Sequence, residues 1–117
     1  AAGEPILAAE NVESTLSVDA GFVPSGDVFA LKVEGDSMQK VGIMDGDIVL
    51  ARQQTSAQQG EIVVAVIDEE ATVKRYYQEG GHVKLMPEND AYEPIVVTPS
   101  ADSFRIAGKI VGLMRRF

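Results

Sequence analysis

No stretch of ten or more residues in this chain keeps a 3.6-residue apolar period, whereas strand-length apolar runs recur about every dozen residues. That pattern predicts a mostly β, compact antiparallel domain with short helical turns. From Val28 to Glu34 the alternation puts Phe29, Leu31 and Val33 on one face of a strand, with Ala30, Lys32 and Glu34 on the other. Gly35 ends it. Ser37 to Gly42 has room for one helical turn, and Asp45-Gly46-Asp47 makes a tight reversal into a strand over Ile48 to Arg52, since glycine accepts positive φ cheaply. Ile62 to Asp68, Ala71 to Gln78 and His82 to Met86 read as a meander turning at Asp68-Glu69-Glu70 and Glu79-Gly80-Gly81. Ile95 to Thr98 and Phe104 to Met114 extend the pattern.

The first 26 residues mix Gly, Pro, Ser and acidic side chains with scattered aliphatics, which predicts an extended arm with at most short strands ahead of a core over 27–117. With 117 residues and 45% apolar content, one core and one domain are expected. The absence of cysteine excludes disulfides, thiolate zinc sites and a thiol nucleophile. Ten basic against eighteen acidic side chains leave a net charge of −8, which argues against direct attraction to a phosphate backbone. No apolar run approaches the ~20 residues of a membrane helix, and no basic segment opens the chain, so it reads as a soluble, cytoplasmic protein without membrane contact. Beginning at Ala1 rather than methionine, it reads as a fragment.

Catalytic groups are scarce. The single histidine, His82, follows Gly80-Gly81 and is expected to be a solvated turn-edge residue. Asp45 with Asp47, and Glu69 with Glu70, lie in turns where carboxylates are expected to stay solvated and support the backbone, and neither a metal nor an organic cofactor is called for. Lysine remains. Strand alternation puts Lys74 on one face with Thr72 and Tyr76, opposite Val73, Arg75 and Tyr77. An ordinary lysine is neutral in only about one molecule in a few thousand at pH 7, so an exposed one is a poor base. Each unit of pKa depression raises the neutral fraction about tenfold at about 1.4 kcal/mol of folding free energy, which only a packed apolar wall can sustain. The runs Ile62 to Ile67 and Ile48 to Ala51 supply such aliphatic surface, and the Thr72 hydroxyl is available to orient the amine.

Gly35-Asp36-Ser37-Met38 followed by Gly42-Ile43-Met44-Asp45-Gly46-Asp47 resembles the serine segment of LexA-type repressors and their self-cleaving relatives. Thr72-Val73-Lys74-Arg75 is similar to that family's lysine strand, Leu85-Met86-Pro87-Glu88-Asn89 to the turn after the next strand, and Gly108-Lys109-Ile110-Val111-Gly112 to its last strand. Ala1-Ala2-Gly3-Glu4-Pro5 resembles its cleavage loop, in which the broken bond joins Ala to Gly, here Ala2-Gly3.

The resemblance implies a LexA/signal-peptidase-like fold and a C-terminal self-cleavage and dimerisation domain of an SOS-response repressor, with the N-terminal helix-turn-helix part outside this fragment. It implies Ser37 as nucleophile and Lys74 as general base, with the backbone N–H groups of Asp36 and Ser37 as oxyanion donors. Asp36 stands where the family carries methionine, a change that a backbone donor tolerates. Its implied partners are a second copy of the chain, the RecA filament on single-stranded DNA as activator, and operator DNA through the missing N-terminal part alone. Phe104 to Met114 is the expected edge strand for pairing with a second copy. Alternatives are a phage-repressor or UmuD-like relative, and a dimerisation module without catalysis. UmuD-type proteins usually present Cys-Gly at the cleaved bond, and signal peptidases carry a membrane anchor and a proline soon after the serine, neither of which this sequence matches.

Overall fold

Six consecutive apolar residues, Ile62–Ile67, leave no polar side for water, and both faces of the strand they form are covered. Val63 and Ala65 point into one core cluster while Val64 and Val66 point into another, so the run is continuous because the strand lies between two cores.

In this computed structural model the structure describes residues 4–5, 7–8, 17–18, 27–100 and 102–117. The strands are β1 (Glu4–Pro5), β2 (Leu7–Ala8), β3 (Ser17–Val18), β4 (Val28–Lys32), β5 (Ile48–Gln53), β6 (Ile62–Ile67), β7 (Glu70–Glu79), β8 (His82–Met86), β9 (Ile95–Val97) and β10 (Phe104–Met114). Seven of them form an antiparallel run in the order β4-β5-β10-β6-β7-β8-β9, and β2 adds to the β4 edge in parallel. β1 and β3 make a separate two-stranded antiparallel ribbon. The mostly β, antiparallel expectation holds, and so does the meander through β6, β7 and β8. Among the described residues no helix is long and apolar enough to cross a membrane.

β4 departs from simple alternation, because Val28, Phe29, Ala30 and Leu31 are all buried. It also ends at Lys32, two residues before the expected Glu34. Val33 leaves the ladder for the next turn, donating its N–H to Asp47 O at 2.8 Å and accepting from Gly46 N–H at 2.8 Å. The one helical turn, a 3-10 turn over Gln39–Val41, closes on Gly42 in the left-handed region at φ 84°. Between β6 and β7 the reversal uses only two residues, Asp68 and Glu69, both at positive φ and neither a glycine.

Phe104 to Met114 is not an edge strand. Phe104 to Lys109 pairs with β6 while Gly108 to Met114 pairs with β5, so β10 is the strand that joins the two halves of the sheet. Alternating apolar residues look the same in both settings, and only the partners distinguish them. On the β6 side, Ile110 to Met114 has no strand partner among the described residues. Register shifts between Ile106 and Gly108 against β6, and between Ile110 and Gly112 against β5, let the strand bend from one half to the other.

Gly108 sits at that bend in close contact with its neighbours. A Cβ there would lie 2.8 Å from Arg52 O and 2.9 Å from Cε1 of Phe29. The backbone oxygen cannot swing aside as a side chain could. Gly108→Ala is therefore expected to lower stability by about 1–3 kcal/mol, measured by urea denaturation. An unchanged midpoint would show that β10 relaxes freely at this position.

Candidate active site

The residue after Ser37 fixes where the serine sits. Met38 is 2% exposed and packs in the core cluster that includes Leu31, Ile43 and Val73, so the loop leaving β4 is pinned at that point. Burying a methionine side chain stabilises by about 1.5–3 kcal/mol, which offsets part of the cost of holding the loop in one path. Ser37, one residue earlier, is left half-buried at the wall of a cleft of about 500 Å³.

The opposite wall is the first half of β7. Lys74 stands across from Val63 of β6, is 7% exposed, and reaches over the cleft to the serine. Its Nζ lies 3.0 Å from Ser37 Oγ, 2.8 Å from Thr72 Oγ1 and 3.1 Å from Val73 O. The Lys74 amine thus brings Ser37 and Thr72 together at one point. Three neutral oxygens surround the amine, and the cleft is lined by apolar Leu31, Val33, Met38, Ala71 and Val73 together with Lys32, Glu34 and Glu70. Burial away from water pushes the Lys74 pKa below the ordinary lysine value, since the charged form loses most by desolvation.

The bonding capacity of the amine then becomes informative. A protonated lysine donates three hydrogen bonds and fills all three oxygens. A neutral one has two N–H groups and a lone pair, so with Thr72 Oγ1 and Val73 O taking the N–H groups, the lone pair is left facing the Ser37 hydroxyl. That geometry can accept a proton from Ser37.

A second segment, Pro87 to Tyr92, supports the serine loop from outside the cleft. Glu88 N–H donates to Ser37 O at 2.8 Å, Lys40 N–H donates to Glu88 O at 2.9 Å, and Asn89 Nδ2 donates to Asp36 O at 2.9 Å. Arg75 Nε donates to Glu88 Oε1 at 2.7 Å. Consecutive residues of β7 therefore serve the same loop, Lys74 directly and Arg75 through Glu88. Tyr92 Oη donates to Asp36 Oδ1 at 2.6 Å. Among the described residues, no hydrogen bond engages the backbone N–H of Asp36 or of Ser37. Ala2 and Gly3 lie outside the described residues.

Asp47 corrects the sequence-based expectation of a solvated turn carboxylate. It is 2% exposed, accepts Met44 N–H at 2.7 Å, and receives Arg115 Nε at 2.7 Å and Nη2 at 2.8 Å. The guanidinium holds its pKa below the usual carboxylate range, the hydrogen bond outweighing burial. Arg115 Nη2 also reaches Gly42 O, tying the chain's end to the base of the serine loop. Asp45 keeps its expected part, exposed and accepting Gly35 N–H at 2.7 Å. His82 is exposed, with Nδ1 3.1 Å from Thr98 Oγ1 and no tie to Ser37. Among the described residues no three His, Asp or Glu side chains converge on a metal position.

Sequence reasoning did not single out Asn89, Tyr92 or Arg115 as supports of the site. Asn89 was visible within Leu85 to Asn89, but its partner lies 53 residues away and no local periodicity points to it.

The chain matches the Peptidase S24-like family over residues 1–111. It is 50% identical over 115 residues to the LexA repressor of Caldicellulosiruptor saccharolyticus, covering 98% of this chain and 55% of that protein. It is 50% identical over 116 residues to the LexA repressor of Syntrophomonas wolfei, covering 99% and 55%. The LexA repressor of Desulfitobacterium hafniense is 52% identical over 114 residues, covering 97% and 54%. The chain spans about half the length of the curated relatives it matches. Family match and relatives agree, and the chain belongs to the Peptidase S24-like family, about 50% identical to LexA repressors over nearly its full length.

Proposed function

We propose that this chain is the self-cleaving and dimerising domain of a cytoplasmic LexA-type repressor of DNA-damage genes. It acts as a serine-lysine endopeptidase on its own Ala2-Gly3 bond. One observation carries the reading: the Nζ of a buried lysine lies 3.0 Å from the Ser37 hydroxyl oxygen, in surroundings that favour the uncharged amine.

Neutral Lys74 takes the proton of Ser37 Oγ as that oxygen bonds to the Ala2 carbonyl carbon. The new oxyanion accepts from the N–H groups of Asp36 and Ser37. Collapse of the tetrahedral species breaks the C–N bond, and Lys74 returns the proton to the leaving Gly3 amine. Ala2 is then held as an ester on Ser37. Lys74 next deprotonates a water that attacks the ester carbon, and Ser37 leaves with its proton restored. Small side chains at Ala2 and Gly3 leave the carbonyl open to attack. The site needs no metal or organic cofactor for this route.

Cleavage within one chain needs no diffusive encounter, so its rate follows the fraction of time that the loop fills the cleft. A RecA filament on single-stranded DNA acts by raising that fraction. Cutting at Ala2-Gly3 separates the dimerising part from an N-terminal helix-turn-helix part, and operator affinity falls with the loss of bivalent binding. The net charge of −8 suits a segment that leaves DNA contact to another. The second copy of the chain pairs along the open flank of Ile110 to Met114.

In the full-length protein that carries this chain, Lys74→Ala is expected to slow self-cleavage at alkaline pH by at least about 10³-fold. Equal cutting at Ala2-Gly3 in variant and parent, followed by electrophoresis and mass spectrometry, would remove the dyad.

Burial of Lys74 also makes a stability prediction. Its folded pKa lies below its unfolded one, so between the two values the unfolded chain binds more protons and stability rises with pH. The charge-burial penalty is fully present below the folded pKa and disappears as pH climbs to the ordinary lysine value. Denaturation curves followed upward in pH to the ordinary lysine value of about 10.4 should therefore show a rise in the parent that Lys74→Met lacks. Parallel curves would mean that the amine is not held neutral. For the dimer, Leu113→Lys, at an exposed apolar position of the open flank, should shift sedimentation from dimer toward monomer. An unchanged dimer would move the interface elsewhere.

A further inference from the structure

The serine loop is held on the side away from Lys74 by a segment that the dyad chemistry does not use. Two of its side chains converge on one residue, Asp36. Asn89 Nδ2 donates to the Asp36 carbonyl at 2.9 Å, and Tyr92 Oη donates to the Asp36 carboxylate at 2.6 Å.

We infer that Asn89 and Tyr92 are positioning residues for the oxyanion site of the serine loop, Asn89 by aiming the Ser37 N–H through the Asp36 carbonyl and Tyr92 by holding the Asp36 carboxylate. The inference rests on the serine-lysine reading above and adds residues to it.

The physical basis is the planarity of the peptide unit. The Asp36 carbonyl and the Ser37 N–H belong to one trans plane and point in opposite directions. Holding the carbonyl toward Asn89 turns the Ser37 N–H the other way, unengaged among the described residues. Asn89 is well suited to that task. It is 9% exposed, and its Oδ1 accepts Ala91 N–H at 2.9 Å, which leaves Nδ2 for the carbonyl and fixes which way the amide faces. Glu88 N–H holds the next carbonyl, that of Ser37, at 2.8 Å, so two successive peptide planes are set by one segment. An oxyanion site works through donors that are oriented before the charge appears.

Tyr92 answers a problem that the Asp36 side chain poses. A carboxylate one residue from the nucleophile would repel the developing oxyanion if it swung toward the cleft. The Tyr92 hydroxyl holds it instead, and the nearby carboxylate raises the pKa of the phenol. The phenol thus holds its proton to higher pH than a free tyrosine would.

The test measures first-order self-cleavage of the full-length protein from about pH 7 to 10, with Ser37→Ala and Lys74→Ala alongside. Asn89→Asp keeps the size of the side chain and the acceptor for Ala91 N–H but removes the donor. It is expected to lower the plateau rate by about 10²-fold without moving the alkaline midpoint, because the contacts of Lys74 are untouched. Tyr92→Phe, at the surface and no threat to folding, is expected to lower the plateau by roughly 3- to 10-fold, again with the midpoint fixed. Loss of a purely structural contact would instead lower the melting temperature and leave the folded enzyme's plateau alone. A parental plateau in either folded variant overturns the role of that residue, as does a shifted midpoint with the plateau retained. If Asn89→Asp does not fold, Tyr92→Phe still decides the Asp36 end of the mechanism. Normal cleavage by Ser37→Ala or Lys74→Ala would defeat the catalytic reading itself, an outcome distinct from either of these.

Discussion

An amine with no carboxylate beside it stays out of water only where neutral oxygens occupy its N–H groups and packed apolar atoms close off the rest. Lys74 meets both conditions, with Ser37, Thr72 and Val73 supplying the oxygens and Leu31, Met38 and Val73 the wall. Those groups come from opposite halves of the sheet. The serine belongs to the β4–β5 connection and the lysine to β7, and the two halves are joined through β10. The bend in β10 at Gly108 is therefore part of the site even though it touches neither residue of the pair.

The serine loop carries little core of its own, and its order is borrowed from three directions. Met38 fixes it from within. Glu88 and Asn89 hold its carbonyls from one side, and Asp47, clasped by Arg115, holds its base from the other. The Asp47–Arg115 pair differs in kind from an exposed ion pair such as Lys40–Asp90, whose partners are 51% and 92% exposed. Solvent screening leaves the latter worth little, whereas a carboxylate at 2% exposure needs its partner to remain charged in that position. The loop is thus held at Ser37 by contacts that lie mostly outside it. Burying the lysine works against folding free energy, and the surrounding contacts offset that penalty, a common pattern where strain or desolvation is kept at a working site.

How much of this was legible in the sequence follows from the range of each interaction. β6 to β8 could be read because their signals are local: alternation or an apolar run, then Asp68-Glu69 or Gly80-Gly81. Ser37 and Lys74 could be paired through the resemblance, but spacing alone leaves a strand lysine facing solvent. What buries Lys74 is a loop 37 residues earlier in the chain. Asp47 was misread for a similar reason, since nothing in Asp45-Gly46-Asp47 announces an arginine 68 residues later. Alternating apolar residues describe a strand's faces and say nothing of its flanks, so the sequence alone does not show that β10 lies between β5 and β6. Asn89 stood inside a recognisable motif without a role, because a single amide donor acquires meaning only from the carbonyl that it meets.

On the self-cleaving reading proposed above, the hydrogen-bond distance between Ser37 and Lys74 also narrows where control can act. The two groups already sit 3.0 Å apart, so no rearrangement of the pair has to precede the chemistry. A protein that assembled its nucleophile and base only on activation would show them separated, and its regulator would have to move β7 against the loop after β4. Here β7 is locked into β6 from Glu70 to Arg75 and the loop is locked by Met38, so such a movement would break both a ladder and a core contact. Two variables remain for a self-cleaving reading: the protonation of Lys74, which follows pH, and the delivery of the scissile bond to the cleft. On that reading, a regulator that favours the docked loop changes the rate without touching Ser37 or Lys74.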